Sequence, residues 1–147
     1  METSQLVENG KALVEAMGYW PSFHDANVLA THSDAGAFTV TVHLFAMTDQ
    51  VDSAGYYALE KHHRVTIVMH DMQSSSLPPG YSDDCLASLS FSRVGDLLQV
   101  DFESHMDQDG TVLCNKVEIA SIIPCDSKGV ALASNNSFKP KPLRGSA

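Results

Sequence analysis

Ser88-Leu89-Ser90-Phe91-Ser92-Arg93-Val94-Gly95-Asp96-Leu97-Leu98-Gln99-Val100-Asp101-Phe102-Glu103 decides the fold. Leu89 and Phe91 alternate with serines, Val94-Gly95-Asp96 makes a tight connection, and Leu98, Val100 and Phe102 then alternate with Gln99, Asp101 and Glu103. Period-two alternation on both sides of a turn predicts an antiparallel hairpin with one buried face. On its second strand the side chains of Asp101 and Glu103 fall on the opposite face, so two carboxylates are expected to reach solvent together.

The same pattern recurs on either side of this hairpin. Downstream, Ser104-His105-Met106-Asp107-Gln108-Asp109-Gly110 reads as a loop leading to a last strand from Val112 to Ile123, closed by Pro124. Asp107-Gln108-Asp109-Gly110 has the beginning of a calcium loop, but the later oxygen ligands and the closing glutamate are missing, so it reads as a turn. Upstream, Val65, Ile67 and Met69 alternate with Arg64, Thr66 and His70 until Ser74-Ser75-Ser76-Leu77-Pro78-Pro79-Gly80 breaks the pattern. Polar Thr48 to Glu60 reads as a loop in which Tyr56 and Tyr57 are anchors. Before it, Val28 to His32, a turn at Ser33-Asp34-Ala35-Gly36, and the alternating Phe38, Val40, Val42 and Leu44 predict a further hairpin.

At the start of the chain Leu6, Val7, Leu13, Val14 and Met17 fall on one helical face. Ser4 is the expected cap, Gly10 a weak point and Gly18 the end. The expected fold is therefore α+β: one N-terminal helix packed on a mainly antiparallel sheet of about six strands. A single domain is expected over residues 1–125 and a flexible basic tail over 126–147, where Pro140 and Pro142 interrupt a polar run.

The chain has 147 residues, with 18 Asp and Glu against 9 Lys and Arg. Seventeen of the acids but five of the bases precede residue 126, so the folded part is more acidic than the total. Such a field repels phosphates, which argues against nucleic acid and anionic membranes as partners and favours encounter with a basic protein. Cys85, Cys114 and Cys125 are odd in number and lack metal-ligand spacing, and Met1 to Gly18 has no apolar leader core. Both features predict a reducing, cytoplasmic location, with Cys85 and Cys114 as small buried hydrophobes. No apolar run reaches the ~18 residues of a membrane helix.

Chemistry concentrates in Gly18-Tyr19-Trp20-Pro21-Ser22-Phe23-His24-Asp25-Ala26. On a strand, Ser22 and His24 would share one face and Asp25 the other, which does not suit a nucleophile, a base and an orienting acid. Trp20 and Phe23 are expected to fill the space between helix and sheet, Pro21 to fix the turn, and His24 and Asp25 to satisfy each other or nearby backbone. Alternatively, the segment forms an exposed ledge for a ligand. The pair His24 and Asp25 recurs as His70 and Asp71, so the two pairs could share a metal, with His62, His63 or His105 assisting.

The run Trp20 to Ala26, between a helix and a strand, resembles the signature of a family of small bacterial immunity proteins of polymorphic toxin systems. The strand His63 to Ile67, the strand Asp96 to Phe102 and the ending Gly110 to Pro124 are similar to that family's layout. Asn27 departs from it, because members often carry an acid there. The resemblance implies a cytoplasmic binder of a cognate toxin with no catalytic residues, no cofactor and no metal. Asp101, Glu103, Asp107 and Asp109 are the expected contacts to a basic active-site cleft. Two other readings remain. One is a small-molecule or metal-binding protein, or a hydrolase, centred on His24, Asp25 and His70, and the other is a subunit of a larger assembly.

Overall fold

The computed structural model describes residues 2–51, 53–55 and 57–132. Among these the chain forms helices α1 (Thr3–Leu6) and α2 (Gly10–Met17) and strands β1 (Asn27–Asp34), β2 (Ala37–Val51), β3 (Tyr57–His70) and β4 (Ser74–Ser75). Strands β5 (Asp84–Val94), β6 (Leu97–Ser104), β7 (Gly110–Cys114) and β8 (Lys116–Pro124) complete it. All strand pairs are antiparallel, in the order β4-β7-β6-β5-β1-β2-β3-β8.

The sheet is two leaves joined by a narrow seam. Between β1 and β5 only Asn27↔Cys85 and Val28↔Asp84 are in register. Beyond the seam the sheet curls over, and Cα atoms of β6 and β8 come within 8 Å although five places separate these strands in the order. Val40 and Val42 of β2, Ile67 of β3 and Ile119 of β8 share one core with Leu98, Val100 and Phe102 of β6. This packing explains the period-two pattern wherever a strand lies over the core, since one face of each leaf is turned away from water there.

Eight strands, rather than six, are present among the described residues, and the difference has two sources. The run read as one strand from Val112 to Ile123 is broken at Asn115, whose N–H is given to His70 O, so that β7 pairs with β6 and β8 with β3. Both pieces face the same core, but the phase of the alternation shifts at the break, from Val112 and Cys114 buried before it to Val117 and Ile119 buried after the exposed Asn115 and Lys116. The second source is β4, a two-residue edge strand on β7 that is too short for any pattern.

The expected loop at Thr48 to Glu60 is also corrected. Strand pairing runs on to Val51↔Tyr57, so the two longest strands form an arm projecting past the core. Val51 is 60 % and Leu59 41 % exposed, and a strand pair that covers no core shows no alternation. The proposed anchor Tyr56 lies outside the described residues. The arm at the other end of β2 turns as expected, with Ala35 (φ 50°) and Gly36 (φ 83°) both left-handed, as a two-residue hairpin turn of this type requires.

The single N-terminal helix becomes two short ones. Between them Glu8 pairs in parallel with Glu118: its N–H donates to Val117 O at 2.8 Å, and Ile119 N–H donates to its carbonyl at 2.9 Å. The segment thus adds one isolated parallel bridge to the β8 edge. Glu2, not Ser4, caps α1, in a reciprocal box with Gln5. Gly10 opens α2 because a Cβ there would run into the Ser4 backbone. Gly18 (φ 88°) ends α2 by giving its N–H to Val14 O, and Lys61 Nζ binds Met17 O at 3.0 Å. Val7, Leu13 and Met17 are buried against the sheet.

Beyond β8, Asp126 Oδ1 accepts the N–H groups of Lys128 and Val130, and Arg64 Nη1 donates to Gly129 O at 2.9 Å. The start of the segment read as a tail is therefore held against β3, because an aspartate turn satisfies its backbone without any apolar signal. Residues 133–147 of that expected tail lie outside the described residues.

The seam contains a buried carboxylate, Asp84, which is 3 % exposed. Its Oδ2 accepts Tyr81 Oη–H at 2.7 Å, and its Oδ1 accepts Cys85 N–H at 2.8 Å and Ser104 Oγ–H at 2.6 Å. Burial, then the hydrogen bond to Asp84, pushes the Tyr81 hydroxyl well above its ordinary range and keeps it a donor. Three donors offset the desolvation of this charge, and removing the acceptor strands all three. Asp84→Ala is expected to cost about 3 kcal/mol in urea unfolding, with Asp84→Asn costing less because one oxygen remains.

Candidate functional site

Trp20 to Ala26 crosses the open end of the seam. The segment is not a strand: Phe23 (φ 66°) and Asp25 (φ 64°) are both left-handed, an uncommon conformation for a phenylalanine. Asp25 N–H donates to Leu86 O, and Leu86 N–H to Ala26 O, both at 2.8 Å, which holds the turn on the start of β5. Phe23 and Pro21 are buried, and Trp20 is half-buried. Trp20, Phe23 and Phe91 of β5 meet edge to face, with ring centroids 5.7 to 6.3 Å apart.

The two left-handed residues overturn the expectation that His24 and Asp25 lie on opposite faces. His24 Nε2 is 3.4 Å from Asp25 Oδ2, and both side chains are open to solvent, at 58 % and 39 %. His105, from the β6–β7 loop, completes the group with Nε2 3.0 Å from Asp25 Oδ1. The ligand atoms of all three residues lie within 4.8 Å of one another, the one such group among the described residues.

Backbone and buried groups hold the His24 ring and the backbone that carries His105. His24 Nδ1 donates to Ala87 O at 3.1 Å, and His105 N–H to Cys85 O at 2.8 Å. Ser104 Oγ gives its proton to Asp84 and accepts Met106 N–H at 2.8 Å, while Asp109 Oδ1 accepts Ser104 N–H at 2.7 Å. The loop that carries His105 is thus tied to the buried seam.

His70 does not take part. Its Nε2 is 2.8 Å from Glu118 Oε1 on β8, so the two His-Asp pairs of the sequence do not converge. His62 instead pairs with buried His43, its Nδ1 2.9 Å from His43 Nε2, beside Phe45. His63 bonds Lys61 O. The cysteines are free thiols: Cys114 and Cys125 are buried and Cys85 half-buried. Burial pushes the Cys114 thiol up to about 11.

The four acidic positions form a second locus around β6. Asp101 is half-buried and held by Gln99 Nε2 and by Thr111 Oγ–H at 2.7 Å, so it does not stand free in solvent as expected. Its neighbour across the ladder is Thr111, which the face alternation of β6 alone did not disclose. Glu103, Asp107 and Asp109 are exposed. Asp101, Glu103 and Asp109 border one open depression of about 410 Å³ with Ser76, Ser90 and Thr111. Asp107 (φ 58°) lies in the adjoining loop.

Comparison of the chain with protein-family models, with curated proteins and with solved structures finds no match. The resemblance carried by Trp20 to Ala26 therefore stands on those residues alone. Among the described residues no helix is long and apolar enough to cross a membrane.

The His43–His62 pair has a pH consequence. Burial, then His62, lowers the His43 pKa, and burial is the main cause of the lowering at His62. Arg64 and His63 act in the same direction, and Asp126 opposes it. Their hydrogen bond also requires a lone pair on one ring. As pH falls below about 6.5 the unfolded chain takes up these protons first, so the pair's contribution is intact above that value and lost below it. Unfolding free energies at pH 7.5 and 5.5 should show this loss, and His62→Asn, whose amide replaces Nδ1, should show a smaller one.

Proposed function

We propose that this domain is an immunity-type protein that binds a toxin domain stoichiometrically and blocks it by occlusion. The observation that carries this reading is the convergence of Asp101, Glu103 and Asp109 on one hydroxyl-lined depression. Carboxylates flanked by hydroxyl groups accept guanidinium and ammonium groups at several points, so the surface suits a basic partner. The excess of acids over bases before residue 126 adds long-range attraction, which raises the association rate. In this reading the protein performs no turnover, and the Trp20–Phe23–Phe91 cluster supports the surface from within β5, where Phe91 follows Ser90, one of the residues that line the depression.

Co-expression with the product of the neighbouring gene should restore growth and yield a one-to-one complex. Glu103→Lys, at an exposed position, is expected to slow association about tenfold at low salt and to flatten its salt dependence. An unchanged rate and salt slope would remove the electrostatic part of the proposal.

A further inference from the structure

The structure assigns a second, independent property to the seam: we infer that His24, Asp25 and His105 bind a first-row divalent cation of the zinc class. Two imidazoles and one carboxylate are the donors such ions prefer, whereas magnesium and calcium select oxygen. Donors bound at ~2.05 Å around a tetrahedral ion lie about 3.3 Å apart. His24 Nε2 is 3.4 Å from Asp25 Oδ2 and His105 Nε2 3.0 Å from Asp25 Oδ1, each close to that value at its own carboxylate oxygen. One donor atom from each residue already lies within 4.8 Å of the others, so closure on a single ion is a matter of side-chain rotation.

The tautomer of His24 suits the assignment. Ala87 O can only accept, so His24 Nδ1 carries a proton, and in the neutral ring Nε2 presents a lone pair toward Asp25 Oδ2. Two acceptors facing each other call for a positive charge between them, which either a proton on Nε2 or a bound cation supplies. A backbone carbonyl on the far ring nitrogen is also the arrangement that orients metal-binding histidines and raises their basicity. His105 Nε2–H donates to Asp25 Oδ1, and a shift of its proton to Nδ1 frees Nε2 for the ion.

Three protein donors leave a fourth position for water, and the exposure of all three side chains gives the ion a path from solvent. Ser104 is a positioning residue here, since through Asp84 and Met106 N–H it fixes the loop that carries His105.

Calorimetric titration of the untagged chain with zinc chloride should give one saturable site per chain. His24→Ala and His105→Ala should each weaken it at least tenfold, with His62→Ala leaving it unchanged. Cobalt substituted for zinc should give the intense visible bands of a tetrahedral site. Absence of saturable binding, retention of affinity in both alanine variants, or loss in His62→Ala would overturn the assignment. Should a variant fail to fold, zinc titration of the wild-type chain followed through its imidazole NMR signals decides it: shifts confined to His24 and His105 support the site, and shifts at His43 and His62 overturn it.

Discussion

The fold depends on a carboxylate buried where the sheet is weakest. Two residue pairs are all that register β5 against β1, yet both leaves and the common core hang on this seam. Asp84, in register with Val28 across the seam, joins three points on the β5–β6 side of it: the Tyr81 hydroxyl from the preceding loop, its own strand at Cys85, and Ser104 at the end of β6. Thr31 Oγ1–H of β1 reaches the same loop at Tyr81 O, at 2.7 Å. An apolar residue could fill the space but could not join those donors. The cost of desolvating a charge thus fixes one geometry for the junction, a role that hydrophobic contact, being non-directional, does not perform.

Both candidate loci are built from this junction. The β6–β7 loop supplies His105 to one and Asp109 to the other, and Ser104, at the root of the loop, is bonded to Asp84 and Asp109 alike. Side chains exposed to water are thereby mounted on backbone that is held by buried or directed hydrogen bonds. Such support limits the ordering that an exposed site must undergo on binding.

Strands with a buried face were legible in the sequence because alternation reports burial directly: Phe38 to Leu44, Val65 to Met69 and the Leu89 to Phe102 hairpin all appear as read. Burial was also the blind spot. The arm beyond Leu44 is strand without a core, and β7 and β8 are two strands facing one core, so in each case the pattern followed the environment and not the hydrogen bonding. At the candidate site the residue types His24, Asp25 and His105 were visible, but their convergence rests on left-handed backbone at Phe23 and Asp25. Phenylalanine gives no local sign of that conformation, because the aromatic packing of its ring against Trp20 and Phe91 imposes it.

The parallel bridge from Glu8 to Glu118 has a consequence for synthesis. Asn9 and Ile119, joined there by a side-chain bond, are 110 positions apart in the chain. The apolar segment with Leu13 and Met17 is synthesised well before β8 and must wait for that strand before it has this edge to dock on. The hairpins, whose partners are near in sequence, can form meanwhile. Docking of the segment on β8 is a long-range step, and until it occurs its apolar face is a surface a chaperone would meet.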